Sequence, residues 1–248
     1  MEISLSALLL CLAVVVAVLA TTAFGKVRKS NYATTEPYDA AYASIYDALQ
    51  YDRAKNEFEL TLVQIPQQAY ALDVGCGLGH HVSALPCPAV GLDLAPAMVK
   101  AASTRYPEQT FVVGDALHKS TFSSETFTHM LCLNHTIYYV QRKDRLLHNM
   151  FYWLQSGGIL ALHLSDSLSF GPVREARTPF RYTATLTDSV YRERVTMNGV
   201  VRRYEHRFYF ETVETILGIA MRCGFILYSM AKYNAPFEGQ YLYLLQKP

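Results

Sequence analysis

A chain of 248 residues with 22 basic and 21 acidic side chains carries a formal net charge of +1, which excludes the broad positive field of a generic nucleic-acid binder. Its five cysteines are odd in number and contain no C-x-x-C pair, which argues against a disulfide framework or structural zinc and for a reducing compartment. At 51% hydrophobic residues the length supplies a large core.

Ile3 to Phe24 is almost wholly apolar, interrupted by small serines and threonines, and Lys26, Arg28 and Lys29 follow it. About 20 such residues span a bilayer core. Residues 1–25 therefore read as a transmembrane anchor and 26–36 as a linker. The positive-inside rule turns the domain of residues 37–248 toward the cytosol. A cleaved signal peptide is the competing reading. The apolar run is longer than the usual ~7–15 residues and no basic segment precedes it, which favours the anchor.

Tyr38, Tyr42, Ile45, Tyr46 and Leu49 recur at helical spacing, and a second helix is expected over Arg53 to Val63. Ala69 to Val74 is an apolar run ending in glycines at 75, 77 and 79; a short helix follows, then a second apolar run, Ala89 to Leu94. Pro96 opens a helix reaching about Tyr106. Thr110 to Val113 and Thr128 to Leu133 read as strands. Arg142 to Leu154 reads as a helix stopped by Gly157-Gly158, and Ile159 to Leu164 as a fifth strand. Strands alternating with helices imply a doubly wound parallel sheet. From Thr178 to Phe210 the helical period disappears. Tyr191 to Met197, Asn198-Gly199 and Val200 to Phe210 read as a β-hairpin. Glu211 to Cys223 returns to helix, and Ile226 to Lys232 and Gln240 to Leu245 are the last strands.

The glycine loop carries the chemistry. Glycine reaches backbone angles closed to other residues and leaves bare amide for a ligand. In open α/β sheets ligands lie at the carboxyl ends of the strands, and Asp93 stands about 20 residues past the motif start, the offset for gripping ribose hydroxyls. A dinucleotide motif would need a small residue at position 80, which is His80; Asp73 instead precedes Gly75 by two places. This D-x-G-x-G-x-G form resembles the first motif of the class I S-adenosylmethionine (SAM) methyltransferases. Gly91-Leu92-Asp93-Leu94 with Pro96 and Met98 resembles the second motif, Val113-Gly114-Asp115-Ala116 the third, and Trp153-Leu154 with Gly157-Gly158-Ile159-Leu160 the segment entering the fifth strand.

The resemblance implies a Rossmann-like seven-stranded sheet of order 3-2-1-4-5-7-6, an inserted β-hairpin over residues 178–210, and SAM as cofactor. It implies that Asp73 organises the methionine amino group and that Gly75, Cys76, Gly77 and Gly79 supply close-approach backbone. Asp93 would take both ribose hydroxyls, with Leu94 and Met98 on the adenine. Asp115 and Ala116 would meet the adenine edge, Leu133 and Asn134 would flank the transferable methyl, and Tyr46 would cover the cofactor. His135 is the candidate general base and Tyr139 a pocket-shaping candidate; the bland alternative is a hydrogen-bonded structural histidine. His80-His81 lacks a third ligand at useful spacing, so no metal is expected.

The insertion holds eight arginines and four acids between residues 174 and 207. Arginine's fork suits carboxylate or phosphate, an anionic leaflet would also attract it, and a solvated ribbon with cross-strand ion pairs is the plainer reading. The leading expectation is a membrane-tethered SAM-dependent methyltransferase acting on a small-molecule or lipid-like acceptor. A catalytically silent SAM-fold binding protein and a nicotinamide-dependent oxidoreductase are the rivals. Oligomeric state, acceptor and methylated atom are open.

Overall fold

A computed structural model describes residues 37–167 and 180–248. The expected anchor, residues 1–25, and Arg174 and Arg177 of the insertion lie outside them. Among the described residues no helix is long and apolar enough to cross a membrane.

The polypeptide enters through two short helices, α1 (Ala40–Ala43) and α2 (Tyr46–Gln50), followed by α3 (Arg53–Val63). Asp39 caps α1 by accepting from the Tyr42 amide at 2.8 Å, and Asp52 caps α3 from Lys55 at 3.1 Å, as N-cap carboxylates do. One continuous first helix was expected. It breaks at Ser44-Ile45, where the Ser44 hydroxyl turns back to the Ala41 carbonyl at 2.7 Å, a local bond that competes with the helical ladder.

The alternating core then follows as β1 (Ala71–Val74), α4 (His80–Ala84), β2 (Ala89–Asp93), α5 (Pro96–Arg105), β3 (Thr110–Val113), β4 (Phe127–Cys132), α6 (Thr136–Tyr139), α7 (Lys143–Trp153) and β5 (Leu154–Ser165). After the insertion come α8 (Val213–Arg222), β9 (Ile226–Lys232) and β10 (Gln240–Gln246). The sheet order β3-β2-β1-β4-β5-β10-β9 is the anticipated 3-2-1-4-5-7-6, with β10 antiparallel to β5 and β9. β1 is buried along its whole length, as a strand covered on both faces must be. Gly157-Gly158 does not end α7. That helix stops at Trp153, and the glycines lie inside β5, where its pairing with β4 shifts register and Gly157 takes φ +80°.

The insertion is a three-stranded antiparallel sheet rather than a hairpin: β6 (Phe180–Thr187), β7 (Val190–Met197) and β8 (Val200–Arg207). Asn198-Gly199 is the expected turn. Asp188-Ser189 makes a second one, both residues at positive φ, the geometry of a two-residue hairpin loop. Phe180, Val195 and Tyr204 of this sheet pack on Tyr42 and Ile45, so the inserted sheet and the entry helices close on one another above the carboxyl edge of the main sheet.

Candidate active site

Three of the loop glycines sit at positive φ, Gly75 at +75°, Gly77 at +54° and Gly79 at +79°. A Cβ on Gly75 would lie 2.5 Å from Thr136 at the start of α6, and one on Gly79 would lie 2.5 Å from the Phe111 ring. Gly91 on β2 meets the same ring at 2.6 Å. Phe111 is thus seated between two glycines, and its seat fixes the distance between the start of α4 and β3. Gly77 is more open: a Cβ there would stand 3.6 Å from Met98 and 3.9 Å from Tyr46.

Asp93 ends β2 and bridges the loop to the next helix. One carboxylate oxygen accepts from the Gly77 amide at 2.8 Å and the other from Ala95 at 2.9 Å. Burial raises its pKa, opposed by these amides, which stabilise the charged form. Each oxygen keeps a second lone pair. Asp73, only 2% exposed, has a carboxylate oxygen with no hydrogen-bond partner among the described residues. Burial pushes its carboxyl up to about 6, although the His81 charge opposes the shift.

His81 links this orphan acid to a buried partner. Its Nε2 bonds Glu59 at 2.8 Å while its Nδ1 stands 4.0 Å from Asp73. Burial alone would lower the imidazole, but the bond and charge of Glu59 outweigh it and raise it. Glu59 also accepts from Tyr233 at 2.5 Å. His80 faces elsewhere, bonding Asp47 at 2.7 Å and Tyr106 at 3.0 Å.

The remaining sequence-chosen residues gather at the same edge. Tyr46 reaches over Gly77, and burial, then the Asp93 charge, raise its hydroxyl well above the usual range. Cys76 is buried, and burial raises its thiol so that it stays protonated. Leu94 stands on the lip, 69% exposed, whereas Met98 is buried with Ala43 and Leu78, backing the loop. Asp115 accepts from the Leu117 amide at 2.8 Å, forming a turn, and the Ala116 carbonyl accepts from Asn149 at 2.8 Å. Leu133 is buried. Asn134 and His135 are consecutive non-glycine residues at φ +47° and +65°, a costly conformation that turns β4 sharply into α6. Asn134 accepts from Lys55 at 2.8 Å. His135 is buried, and burial, then the Lys55 charge, lower its imidazole to about 3. It is therefore a neutral, weak base at ordinary pH.

A cavity of about 210 Å³ opens beside this edge, with Tyr38, Tyr42, Tyr46, Tyr139, Tyr191 and His206 among its walls. Tyr38 donates to Tyr139 at 2.7 Å. Behind the wall, Glu193 accepts from His206 Nε2 at 2.5 Å and from the Tyr182 hydroxyl. This buried pair was missed in the sequence. Its signal was there: Tyr191, Glu193 and Val195 share one face of β7, as Tyr204 and His206 share one face of β8, so both polar groups sit on apolar faces. The arginines behave otherwise. None lines the cavity among the described residues, and Arg192 pairs across strands with Glu205 at 3.0 Å, the solvated-ribbon arrangement.

Residues 72–162 match the family described as a methyltransferase domain. A trans-aconitate 2-methyltransferase from Methylobacterium radiotolerans is 29% identical over 133 residues, covering 51% of this chain and 50% of that protein. A dTDP-4-amino-2,3,4,6-tetradeoxy-D-glucose N,N-dimethyltransferase from Saccharopolyspora spinosa is 30% identical over 142 residues, 52% of this chain and 56% of its own length. The chain thus spans about half the length of the curated relatives it matches. Among solved structures, a SAM-dependent methyltransferase from Clostridium acetobutylicum superposes with a TM-score of 0.65 at 15% identity, covering 83% of this chain and 97% of its own. A SAM-bound amino pentose methyltransferase from Micromonospora echinaspora superposes with a TM-score of 0.60 at 19% identity, covering 84% and 97%. At those identities the likeness establishes the fold. The unsatisfied Asp73 oxygen, the spare lone pairs of Asp93 and the open backbone at Gly77 fit an adenosine bearing a cationic amino-acid tail. Residues 72–162 thus carry a methyltransferase domain, set in a strand order and fold shared with SAM-dependent methyltransferases.

Proposed function

We propose that this chain is a SAM-dependent methyltransferase acting on a small-molecule or lipid-like acceptor at a membrane surface, tethered by residues 1–25 with residues 37–248 facing the cytosol. The observation that carries the catalytic reading is Asp93 at the tip of β2, next to the orphan carboxylate of Asp73. A diol-gripping acid beside a buried acid with an unsatisfied oxygen suits a ribose and an ammonium. When bound, the cofactor supplies a methyl group on positively charged sulfur, which leaves as a neutral thioether.

The chain's residues then have three tasks. Asp73 and Asp93 hold the two ends of the cofactor. Tyr46 and the entry helices exclude water from the reacting centre. The adjoining cavity aligns the acceptor in reach of the methyl, since proximity supplies much of the rate in such transfers. The relatives named above are called methyltransferases of trans-aconitate and of an amino sugar nucleotide, and both acceptors are small molecules, which supports an acceptor of that size here. The apolar run before the basic triplet supports the tether.

Calorimetry with SAM, followed by a labelled-methyl screen of metabolites and lipids that scores release of S-adenosylhomocysteine, tests the reading. Absence of SAM binding overturns it, and binding without release in any mixture leaves a silent SAM-fold protein. Sedimentation with membranes tests the tether: the full chain should pellet, and a chain lacking residues 1–25 should not.

A further inference from the structure

We propose that the tyrosine-lined cavity takes an amine-bearing acceptor and that His206, oriented by Glu193, accepts its proton; this rests on the methyltransferase reading above. Glu193 and His206 are 0% and 1% exposed at their side chains. The 2.5 Å contact of His206 Nε2 with the Glu193 carboxylate places the ring hydrogen on Nε2, because the carboxylate can only accept. Nδ1 is then the basic nitrogen. It is buried and has no hydrogen-bond partner among the described residues, although buried ring nitrogens are nearly always satisfied. His206 is among the residues lining the cavity, so this unpaired lone pair borders the space an acceptor would enter.

The surroundings select the ligand's charge. The His206 ring is centred 5.1 Å from Tyr38, 5.5 Å from Tyr42, 6.0 Å from Tyr191 and 6.1 Å from Tyr139. Tyrosine faces attract an ammonium through the ring quadrupole, and Glu193 adds a buried negative charge. A carboxylate acceptor would meet the reverse. Among the described residues no arginine lines the cavity, and the one lysine there, Lys55, is engaged with Asn134 at 2.8 Å and stands 3.9 Å from Glu59. A carboxylate would shed its water for neutral donors alone, with no free cation among the described lining residues to pair with it. An alcohol fits poorly for a different reason: its proton is far too weakly acidic for an imidazole, whereas an alkylammonium, with an ordinary pKa of about 10, is several units closer.

The proton steps balance. The ammonium hydrogen passes to Nδ1, giving an imidazolium whose charge the Glu193 carboxylate neutralises. The lone pair so freed on nitrogen forms the N–C bond to the methyl carbon while the C–S electron pair stays on sulfur. The positive charge thus ends on the methylated nitrogen. His206 touches the acceptor; Glu193 acts through His206 and is a positioning residue.

The test uses the full chain saturated with S-adenosylhomocysteine and two probes of matched shape, cyclohexylamine and cyclohexanecarboxylate. Calorimetry should show the amine binding at least about tenfold more tightly, the factor expected from a partly desolvated cation–π cage. Nitrogen-15 NMR of the histidines should show His206 as the Nε2–H tautomer, with the Nδ1 resonance shifting on addition of the amine. Glu193→Gln should disturb that tautomer while His206→Asn weakens amine binding about tenfold, both with unchanged affinity for S-adenosylhomocysteine as the check on folding. Equal or tighter binding of the carboxylate, an Nδ1–H tautomer, or an unmoved resonance overturns the inference. If the wild-type chain does not bind S-adenosylhomocysteine, the parent reading falls and this one with it; if it does, and ignores the amine, this one falls alone.

Discussion

The cofactor cleft and the cavity beside it are assembled in opposite ways. The cleft takes its groups from consecutive elements, β1 through the start of α5, and most of them are backbone amides, glycines and two carboxylates. Parallel strand order brings them to one edge without help from elsewhere. The cavity takes side chains from α1, α2, α3, α6, two strands of the inserted sheet and the stretch around Phe237. They meet only because Tyr42 and Ile45 dock on Phe180, Val195 and Tyr204. The cleft should therefore fail through individual backbone positions, and the cavity through aromatic side chains whose losses are partly shared by their neighbours.

The largest effect belongs to Asp93→Ala. On the proposed role, two hydrogen bonds from ribose to a charged acceptor would disappear, each worth about 1.5–3 kcal/mol, and the Gly77 and Ala95 amides lose their acceptor as well. Calorimetry should show SAM affinity down by about a hundredfold or more. Next is a paired comparison of glycines. Gly79→Ala combines a left-handed φ with a methyl 2.5 Å from the Phe111 ring, whereas Gly157→Ala has the same sign of φ and nothing within 4 Å. Left-handed backbone costs about 1–2 kcal/mol in other residues. Thermal unfolding should place Gly157→Ala near that figure and Gly79→Ala about 1–2 kcal/mol beyond it, from overpacking. Equal losses would mean that Phe111 moves aside freely.

Asp73→Asn probes strain stored in the cleft. With a folded pKa near 6, above the ordinary value of about 3.9, the native protein binds the proton more tightly than the unfolded chain does. The stability this contributes is complete below about pH 4 and is lost as pH rises through 6. The asparagine variant should remove that slope and stabilise the cofactor-free protein by about 2–3 kcal/mol at pH 8, while weakening SAM binding. A pH-independent wild type in that window would refute the burial argument. The smallest effect is on the ribbon's outer face. Arg192→Ala breaks a half-exposed ion pair and should change the denaturation midpoint by less than about 0.5 kcal/mol.

The same contrast explains what could be read in advance. α3, β3 and β9 appear with the bounds their patterns indicate, because Asp52 caps one and turn residues bracket the others. The strand order follows from the motif run between Asp73 and Leu160. β6 escaped notice although Phe180, Tyr182, Ala184 and Leu186 alternate with polar residues, since Asp188-Ser189 is a weaker hairpin signal than Asn198-Gly199. Glu193 and His206 were lost in a segment that looked like a charge run, because their pairing depends on a cross-strand register that places Glu193 against Tyr204 and Tyr191 against His206. Glu59 carried no local signal; its burial against His81 and Tyr233 exists only once α3 has docked. Chemistry carried by backbone follows from local sequence, and chemistry carried by converging side chains does not.

Tyr38 precedes the first helix, yet its ring is part of the cavity wall and its hydroxyl is bonded to Tyr139. Asp39, beside it, both caps α1 and accepts from Tyr204 at 3.3 Å. A version trimmed to begin at Ala40 would keep every strand of the main sheet and the whole glycine loop, and by circular dichroism it would pass for intact. It would nonetheless be a vessel with one pane missing, able to hold its nucleoside but leaking water onto the guest, so the outermost turn of the folded body belongs to the chemistry as much as to the architecture.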